Sequence, residues 1–194
     1  MKIGTDLSVL AQAGRSDASV LAEHLALGDL AEPLGFDSLF GLEHHFTGYS
    51  MSPHPLQLLS YFAGKTKRIT LGTCVIVLPW HDPIRVAEQI AYLDLLCGGR
   101  CMFGFGRGAA SVEYAGFRVP MEEARPRFAE SAQLITKALQ DEVFEWEVIA
   151  TQAKNLDRNL LDWSVTQGIR VYSPLTPDPA SVSGTEKPER ALEH

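Results

Sequence analysis

Three groups of residues in this chain carry side chains suited to chemistry, and the first is Glu43-His44-His45. Histidine titrates near neutral pH, so a histidine here suits proton transfer or a hydrogen bond to a cofactor. A metal site is not favoured, because adjacent residues at a strand end point in opposite directions and no HExxH or HxxEH motif is present. A structural or solvated histidine is the remaining interpretation.

The second group extends from Thr73-Cys74-Val75 to Pro79-Trp80-His81-Asp82. Cys74 lies in an apolar, β-branched segment, so the residues alone favour a small core side chain over a nucleophile. Trp80 and Tyr92 are expected to pack in the interior rather than to offer stacking surfaces. The chain has no GxSxG motif, so the sequence does not indicate a serine hydrolase.

The third group is the glycine-rich segment Gly104-Phe105-Gly106-Arg107-Gly108. It lacks the third glycine of a dinucleotide-binding fingerprint, and no acidic residue follows at the expected distance. Two interpretations remain open. Either the glycines let a ligand approach the backbone while Arg107 holds an anion, or they form a tight turn beside a surface arginine.

All three groups follow predicted strands. The periodicity predicts strands at 2–7, 38–42, 69–78 and 100–105, and helices at 19–34, 56–63, 83–97 and 121–139. The apolar face of the first predicted helix consists of Val20, Leu21, Leu25, Leu27, Leu30 and Leu34, and that of the third of Val86, Ala87, Ile90, Leu93 and Leu96. The predicted inner positions of the fourth are Phe128, Leu134, Ile135 and Leu139. Successive strand–helix units predict a parallel sheet whose carboxyl-end loops bind ligands.

The fold class is therefore α/β, either an open doubly wound sheet or part of a (β/α)₈ barrel. A complete barrel normally needs about 250 residues, and this chain has 194. We predict an α/β domain at 1–148 with four strand–helix units, and a further helix (150–163) and strand (169–172) within 149–173. Residues 174–194 are predicted to be a tail rich in Pro and Ser that ends in a tag-like sequence.

Composition excludes several function classes. The net charge of −7 argues against nucleic acid and against an anionic membrane surface as partners. No apolar run reaches the roughly 18 residues of a membrane span, and the first residues do not resemble a signal peptide. The three cysteines are Cys74, Cys97 and Cys101, without CxxC spacing. They predict free thiols in a reducing, cytoplasmic compartment.

The motifs also resemble those of a known family. The matching segments are LEHHFT at 42–47, LGTCVIVLP at 71–79, HDPIRVAEQIAYLD at 81–94 and GGR at 98–100, followed by FGFGRG at 103–108. Their order and spacing are similar to the N-terminal half of bacterial-luciferase-type, flavin-dependent monooxygenases. The resemblance covers residues 1 to about 145, and we find no match after Trp146.

The resemblance implies a TIM-barrel-type (β/α) fold, incomplete here. It also implies reduced FMN as co-substrate (F420 in some relatives), O2, a small organic substrate and a flavin reductase as the source of reduced flavin. Relatives pack as dimers through the region of Glu88, which implies a homodimer.

By position, the resemblance assigns catalysis to His44, near the reacting edge of the flavin. It assigns cofactor contacts to Glu43, to a cis-peptide bulge at Cys74-Val75, and to Gly106, Arg107 and Ala109, with no metal. Three functions follow: a flavin-dependent monooxygenase, a non-catalytic flavin-binding protein, or a structural fragment that needs a partner because half a barrel exposes sheet edges.

Overall fold

The computed structural model of the chain describes residues 1–11, 13–141, 144 and 146. Within them, four strands alternate with helices: β1 (Gly4–Leu7), α1 (Asp17–Ala31), β2 (Ser38–Gly41), α2 (Pro55–Ala63), β3 (Thr70–Val77), α3 (Pro83–Cys97), β4 (Cys101–Gly106), α4 (Ser111–Phe117) and α5 (Ala124–Gln140). The helix and strand predicted at 150–163 and 169–172, and the tail at 174–194, lie outside the described residues.

The four strands form one parallel sheet in the order β1-β2-β3-β4. This is the α/β arrangement that the sequence predicts, an incomplete barrel in which each strand lies beside the next along the chain. The core is formed by strand side chains such as Leu39, Leu71 and Ile76 packed against Phe62 of α2 and Ile135 of α5. All carboxyl ends of the strands consequently lie at one edge of the sheet.

Helix α3 matches its sequence prediction closely. The Asp82 carboxylate accepts the Arg85 N–H at 3.0 Å and Pro83 occupies the first turn. Gly98 ends the helix in the left-handed conformation, with φ +66°. The inner face differs from the prediction in two residues: Tyr92 and Leu96 are exposed. The buried stripe continues from Leu93 to Cys97, so these two side chains point away from the sheet.

The predicted inner face of α1 is largely wrong. Val20 is buried and Leu25 is partly buried. The other predicted positions are exposed: Leu21, Leu27, Leu30 and Leu34. The physical reason is Gly28, whose missing side chain leaves room for the Phe62 ring. The helix therefore lies on the sheet with its small residues, Gly28 and Ala31, and its leucines face outward beside the edge strand β1.

The region after β4 also departs from the prediction, because the short helix α4 was not predicted. The helix predicted at 121–139 is observed as a 3₁₀ turn, Met121–Glu123, followed by α5. Pro126 lies in the first turn of α5, where its missing N–H costs no helical hydrogen bond. Leu134 and Ile135 are buried as predicted, and they anchor α5 on the core.

Strands β3 and β4 pair with a register shift between Thr73 and Ile76, which defines a bulge at Cys74-Val75. The Cys74–Val75 peptide is cis, as the resemblance implies. Thr73 spans the bulge, because its hydroxyl bonds to Gly104 O and accepts the Gly104 N–H, both at 3.0 Å. The bulge thus lies at the carboxyl edge of the sheet.

In the described part of the chain, no helix is long and apolar enough to cross a membrane.

Candidate active site

The loops that follow β1 and β2 join above the carboxyl ends of the strands. Met51 N–H donates to Val9 O at 2.8 Å, and Ala11 N–H donates to Tyr49 O at 2.9 Å. These bonds fold the long loop between β2 and α2 over the sheet, beside the loops that follow β3 and β4. We call this set of four loops the strand-end rim, and it holds all three groups singled out in the sequence.

Glu43 is the buried centre of the rim. Its side chain is 0% exposed. One oxygen, Oε2, accepts the Val77 N–H at 2.7 Å. The other, Oε1, lies 2.6 Å from His81 Nε2 and 2.9 Å from His45 Nε2. The carboxylate therefore joins the ends of β2 and β3, and it is not exposed to make the cofactor contact that the resemblance implies.

These contacts set the ionisation of Glu43. Burial by itself raises the pKa of the carboxyl group. The hydrogen bonds from His45, His81 and Val77, together with the positive charge available at His81, outweigh burial and hold the pKa below its ordinary value of 4.5. Glu43 is consequently an anion at neutral pH, fully hydrogen-bonded within the fold.

His44 contacts a second buried carboxylate. Its Nδ1 lies 3.2 Å from Oε1 of Glu113, and its side chain is 38% exposed whereas that of Glu113 is 3% exposed. The same Oε1 accepts the His45 N–H at 2.8 Å. Because a carboxylate only accepts, Nδ1 of His44 carries the proton and Nε2 is the atom able to exchange one. The two neighbouring imidazole rings thus contact different carboxylates, His44 that of Glu113 and His45 that of Glu43.

Helix α4 brings Glu113 to His44. It is held by ring contacts centred on Phe117, whose ring stacks on Trp80 with centroids 5.4 Å apart and lies 4.6 Å from the His45 ring. Phe46 also packs on Phe117 and takes the space that a side chain at Gly116 would need. Trp80 thus packs as predicted. Glu113 could not be recognised from the sequence, because α4 has only seven residues and shows too little apolar periodicity to predict a helix.

Replacing Glu113 by alanine is expected to lower the free energy of unfolding by about 1–3 kcal/mol, because the buried His45 N–H loses its acceptor. Glu113→Gln keeps an oxygen acceptor and should lose less than half as much. Urea unfolding measures both values. Glu122→Ala, at an exposed position in the adjacent 3₁₀ turn, is the control and should stay within about 0.5 kcal/mol of the parent. Equal stability of Glu113→Ala and the parent would contradict the role given to Glu113.

The second group presents Cys74 to solvent. Cys74 is exposed, so the interpretation of Cys74 as a small core residue is wrong. The bulge turns its side chain out of the sheet, while the Val75 side chain packs over Gly106. An exposed thiol at the carboxyl edge of β3 is compatible with the cofactor contact that the resemblance implies.

The glycines of the third group serve strand packing. A side chain at Gly104 would meet Thr73 O at 2.6 Å, and one at Gly106 would overlap Val75. Their absence therefore makes room for the bulge of β3, a role that differs from both interpretations left open by the sequence, ligand approach and a tight turn. A backbone contact from Gly106 to a cofactor stays a prediction, as does one from Ala109, which is exposed just before α4.

Arg107 follows β4 at the same edge. Its carbonyl oxygen accepts a hydrogen bond from the Tyr114 hydroxyl. Burial raises the pKa of Tyr114, and the positive charge of Arg107 partly opposes that shift, so the guanidinium lies near the phenol ring. Among the described residues, no carboxylate forms an ion pair with Arg107. Its charge is therefore available to an anion.

The arrangement can be compared with known proteins. The sequence model described as luciferase-like monooxygenase matches residues 1–172. The chain belongs to this family. The match runs past residue 145, so the expectation that the resemblance ends there is wrong. Those additional residues lie almost wholly outside the described part of the chain.

Individual relatives agree with the family. This luciferase-like chain is 34% identical over 125 residues to an alkanal monooxygenase alpha chain of Photorhabdus laumondii, covering 64% of this chain and 35% of that one. Monooxygenase RslO1 from Streptomyces bottropensis superimposes with a TM-score of 0.73 at 28% identity, covering 90% of this chain and 49% of that one.

The oxygenating constituent of 3,6-diketocamphane monooxygenase from a Pseudomonas putida plasmid, solved in complex with FMN, shares the fold. Its TM-score is 0.71 at 24% identity, over 76% of this chain and 41% of that one. The luciferase-like chain thus spans between about a third and a half of the length of these relatives.

Proposed function

We propose that this chain provides the flavin-binding rim of a monooxygenase that uses reduced FMN and O2 to oxidise a small organic substrate. The observation that carries the proposal is the pairing of half-exposed His44 with buried Glu113, at the same edge as exposed Cys74 and Arg107. A proton-exchanging group, an open surface and a cation on one rim are what a bound flavin and its reaction require.

The residues present fit FMN. Four buried polar atoms near the rim lack a hydrogen-bond partner: Thr47 Oγ1, Ser50 Oγ, Ser52 Oγ and Trp80 Nε1. Buried polar atoms are normally bonded, so such atoms suggest a missing ligand or water. Arg107 would hold the phosphate group, and the exposed edge at Cys74-Val75 would pack against the ring system. FMN is preferred to F420 because the relative solved with FMN is more similar to this chain, with a TM-score of 0.71 at 24% identity, than an F420-dependent secondary alcohol dehydrogenase, with 0.61 at 18%.

Reduced FMN, when bound, supplies the two electrons that let O2 place one oxygen atom in the substrate while the other leaves as water. The chain's own residues position and shield that chemistry. His44 exchanges a proton through Nε2, and Glu113 and Glu43 fix the loop that carries it. The aromatic side chains around Phe117 keep water from the inner side of His45, as closed sites require.

An apolar substrate is proposed from a groove beside His44. The groove has a volume of about 700 Å³, and its lining includes Leu42, Phe46, Met51 and Leu58. A mainly apolar pocket with few polar groups is typical of a site for a small organic molecule. Because a relative is named an alkanal monooxygenase, a long-chain aldehyde is the first probe.

Arg107→Ala is expected to weaken FMN binding about 10- to 150-fold, since a charge-assisted contact is worth roughly 1.5–3 kcal/mol. Arg107→Lys should recover only part of the loss, because an ammonium group cannot make the planar, paired contact of a guanidinium. Calorimetric titration with FMN measures the affinity of the parent, Arg107→Ala and Arg107→Lys.

Arg68→Ala, at an exposed position at the opposite end of the sheet, is the matched control and should bind FMN like the parent. Equal affinities for the parent and both Arg107 variants would contradict the anchoring role. A parent that binds F420 and not FMN would overturn the choice of cofactor.

We also propose a homodimer, with reduced flavin delivered by a separate reductase. Large apolar side chains are exposed on α1, α2 and α3, among them Leu27, Leu30, Tyr61, Tyr92 and Leu95, and large exposed apolar patches usually mark interfaces. Sedimentation velocity at micromolar concentration should give twice the chain mass. A single monomeric species under those conditions would contradict this expectation.

A further inference from the structure

We propose that Asp94, Cys97 and Cys101 bind one thiophilic divalent cation of the zinc class. The two sulfur atoms are 3.0 Å apart, and the three potential ligand atoms lie within 4.8 Å of one another. The group is at the amino end of β4, so it is separated from His44 by the length of the sheet. This candidate site is independent of the proposed function.

The chain turn between α3 and β4 brings the thiols together. Cys97 is the last residue of α3 and Cys101 is the first of β4. Gly98 and Gly99 between them have φ +66° and φ +80°, values that favour glycine. The Gly99 N–H donates to the Asp94 carbonyl at 3.0 Å. The turn therefore reverses the chain within three residues and places Cys101 beside the last turn of the helix.

Arg100 makes this turn rigid. Its Nε donates to Cys97 O at 2.8 Å, and one terminal nitrogen donates to Ile69 O at 2.6 Å. Both terminal nitrogens also bond to Thr66, on the loop before β3. The backbone of the turn is thus fixed before any ion binds, which lowers the entropic cost of binding. The sulfur atoms, 3.0 Å apart, then need only side-chain rotation to reach the roughly 3.8 Å that two Zn–S bonds of about 2.3 Å at the tetrahedral angle require.

The ligand set matches zinc chemistry. Two thiolates and one carboxylate are ligands that zinc accepts, and three protein ligands leave the fourth tetrahedral position to water. Asp94 forms no ion pair among the described residues, so no nearby cation already neutralises it. Asp94 and Cys101 are partly exposed, and an ion can reach them from solvent.

A divalent cation binds cysteine as the thiolate, so binding at this group would displace the thiol protons. Binding should therefore release protons and strengthen as pH rises.

The test is titration of the whole chain, kept reduced with a phosphine, with ZnCl2 and separately with CoCl2. We expect one Co²⁺ per chain and an intense sulfur-to-cobalt charge-transfer band. Zinc at 100 times its Kd should raise the Tm by roughly 5–10 °C. Loss of an outer-shell partner typically weakens metal binding about 10- to 100-fold. Cys97→Ser and Cys101→Ser each remove a direct ligand, so each should weaken zinc binding by more than that. Asp94→Asn should also weaken it.

Cys74→Ser is the matched control, because it removes a thiol and keeps all three ligands. It should bind zinc like the parent. The proposal is overturned if the double variant Cys97→Ser/Cys101→Ser binds zinc as tightly as the parent, since the ion would then bind elsewhere, for instance at the rim histidines. It is equally overturned if zinc leaves the parent's Tm unchanged. It is also overturned if Cys97 and Cys101 form a disulfide that the phosphine does not reduce, detected as a chain mass lower by two hydrogens.

Discussion

Replacing His44 by alanine is expected to lower kcat/KM for oxidation of a long-chain aldehyde about 10²- to 10⁴-fold, the contribution typical of general acid–base catalysis. The reason is that Nδ1 is committed to Glu113, which leaves Nε2 for proton exchange. Because Arg107 carries the proposed phosphate contact, the affinity for FMN should change little. Steady-state kinetics with photoreduced FMN, together with FMN titration, measures both quantities.

His24→Gln is the matched control for the loss of a histidine. His24 lies on α1, where its ring contacts the Val20 carbonyl, and it does not line the groove beside His44. This variant should retain the parent's rate. Added imidazole should restore part of the activity of His44→Ala but not of an unfolded variant. A His44→Ala protein with the parent's kcat/KM would contradict the assignment of proton transfer to this residue.

Replacing Glu43 by leucine is expected to lower the free energy of unfolding by roughly 3–5 kcal/mol, the usual cost of removing one partner from a buried charged group. The loss leaves the Val77 N–H, His45 Nε2 and His81 Nε2 without their shared acceptor. Glu43→Gln keeps one oxygen acceptor but loses the charge, so it should lose about 1–3 kcal/mol. Urea unfolding at neutral pH measures both variants.

The Glu43 carboxylate also makes the free energy of unfolding depend on pH in the acid range. The pKa of Glu43 is lower in the folded chain than its ordinary value of 4.5. The stabilisation is therefore complete above pH 4.5 and is lost as pH falls through the lower, folded-state value. Because glutamine does not titrate, Glu43→Gln should lack the part of the decrease in the free energy of unfolding at low pH that Glu43 causes. Glu122→Gln, at an exposed position in the 3₁₀ turn before α5, should keep the parent's profile. Identical profiles for the parent and Glu43→Gln would contradict the prediction.

Much of the fold could be predicted because its signals are local. Helix α3 has a capping aspartate, a proline in the first turn and a glycine after its end, so its bounds follow from neighbouring residues alone. Strand β3 follows from its β-branched run and the other three from short apolar segments between helices, and the parallel order follows from the alternation with helices. The placement of His44, Cys74 and Arg107 on one edge is a consequence of that order.

The parts that could not be predicted depend on contacts between distant residues. The outward leucines of α1 follow from the contact between Gly28 and Phe62, which no periodicity in the helix reveals. Glu43 is buried because Val77 and His81, more than thirty positions along the chain, converge on it. Glu113 lies on α4, a helix too short to show a periodic pattern of apolar residues. Cys97 and Cys101 meet only because two glycines reverse the chain.

The central claim is that this rim uses reduced FMN and O2 to oxidise an organic substrate. The most direct measurement mixes the chain with photoreduced FMN, a long-chain aldehyde and ¹⁸O2, and follows the acid product by mass spectrometry. The account predicts one ¹⁸O atom per molecule of acid, formed at a rate proportional to chain concentration and lost in His44→Ala. Acid that carries oxygen only from water, or that forms no faster than with flavin alone, would contradict it.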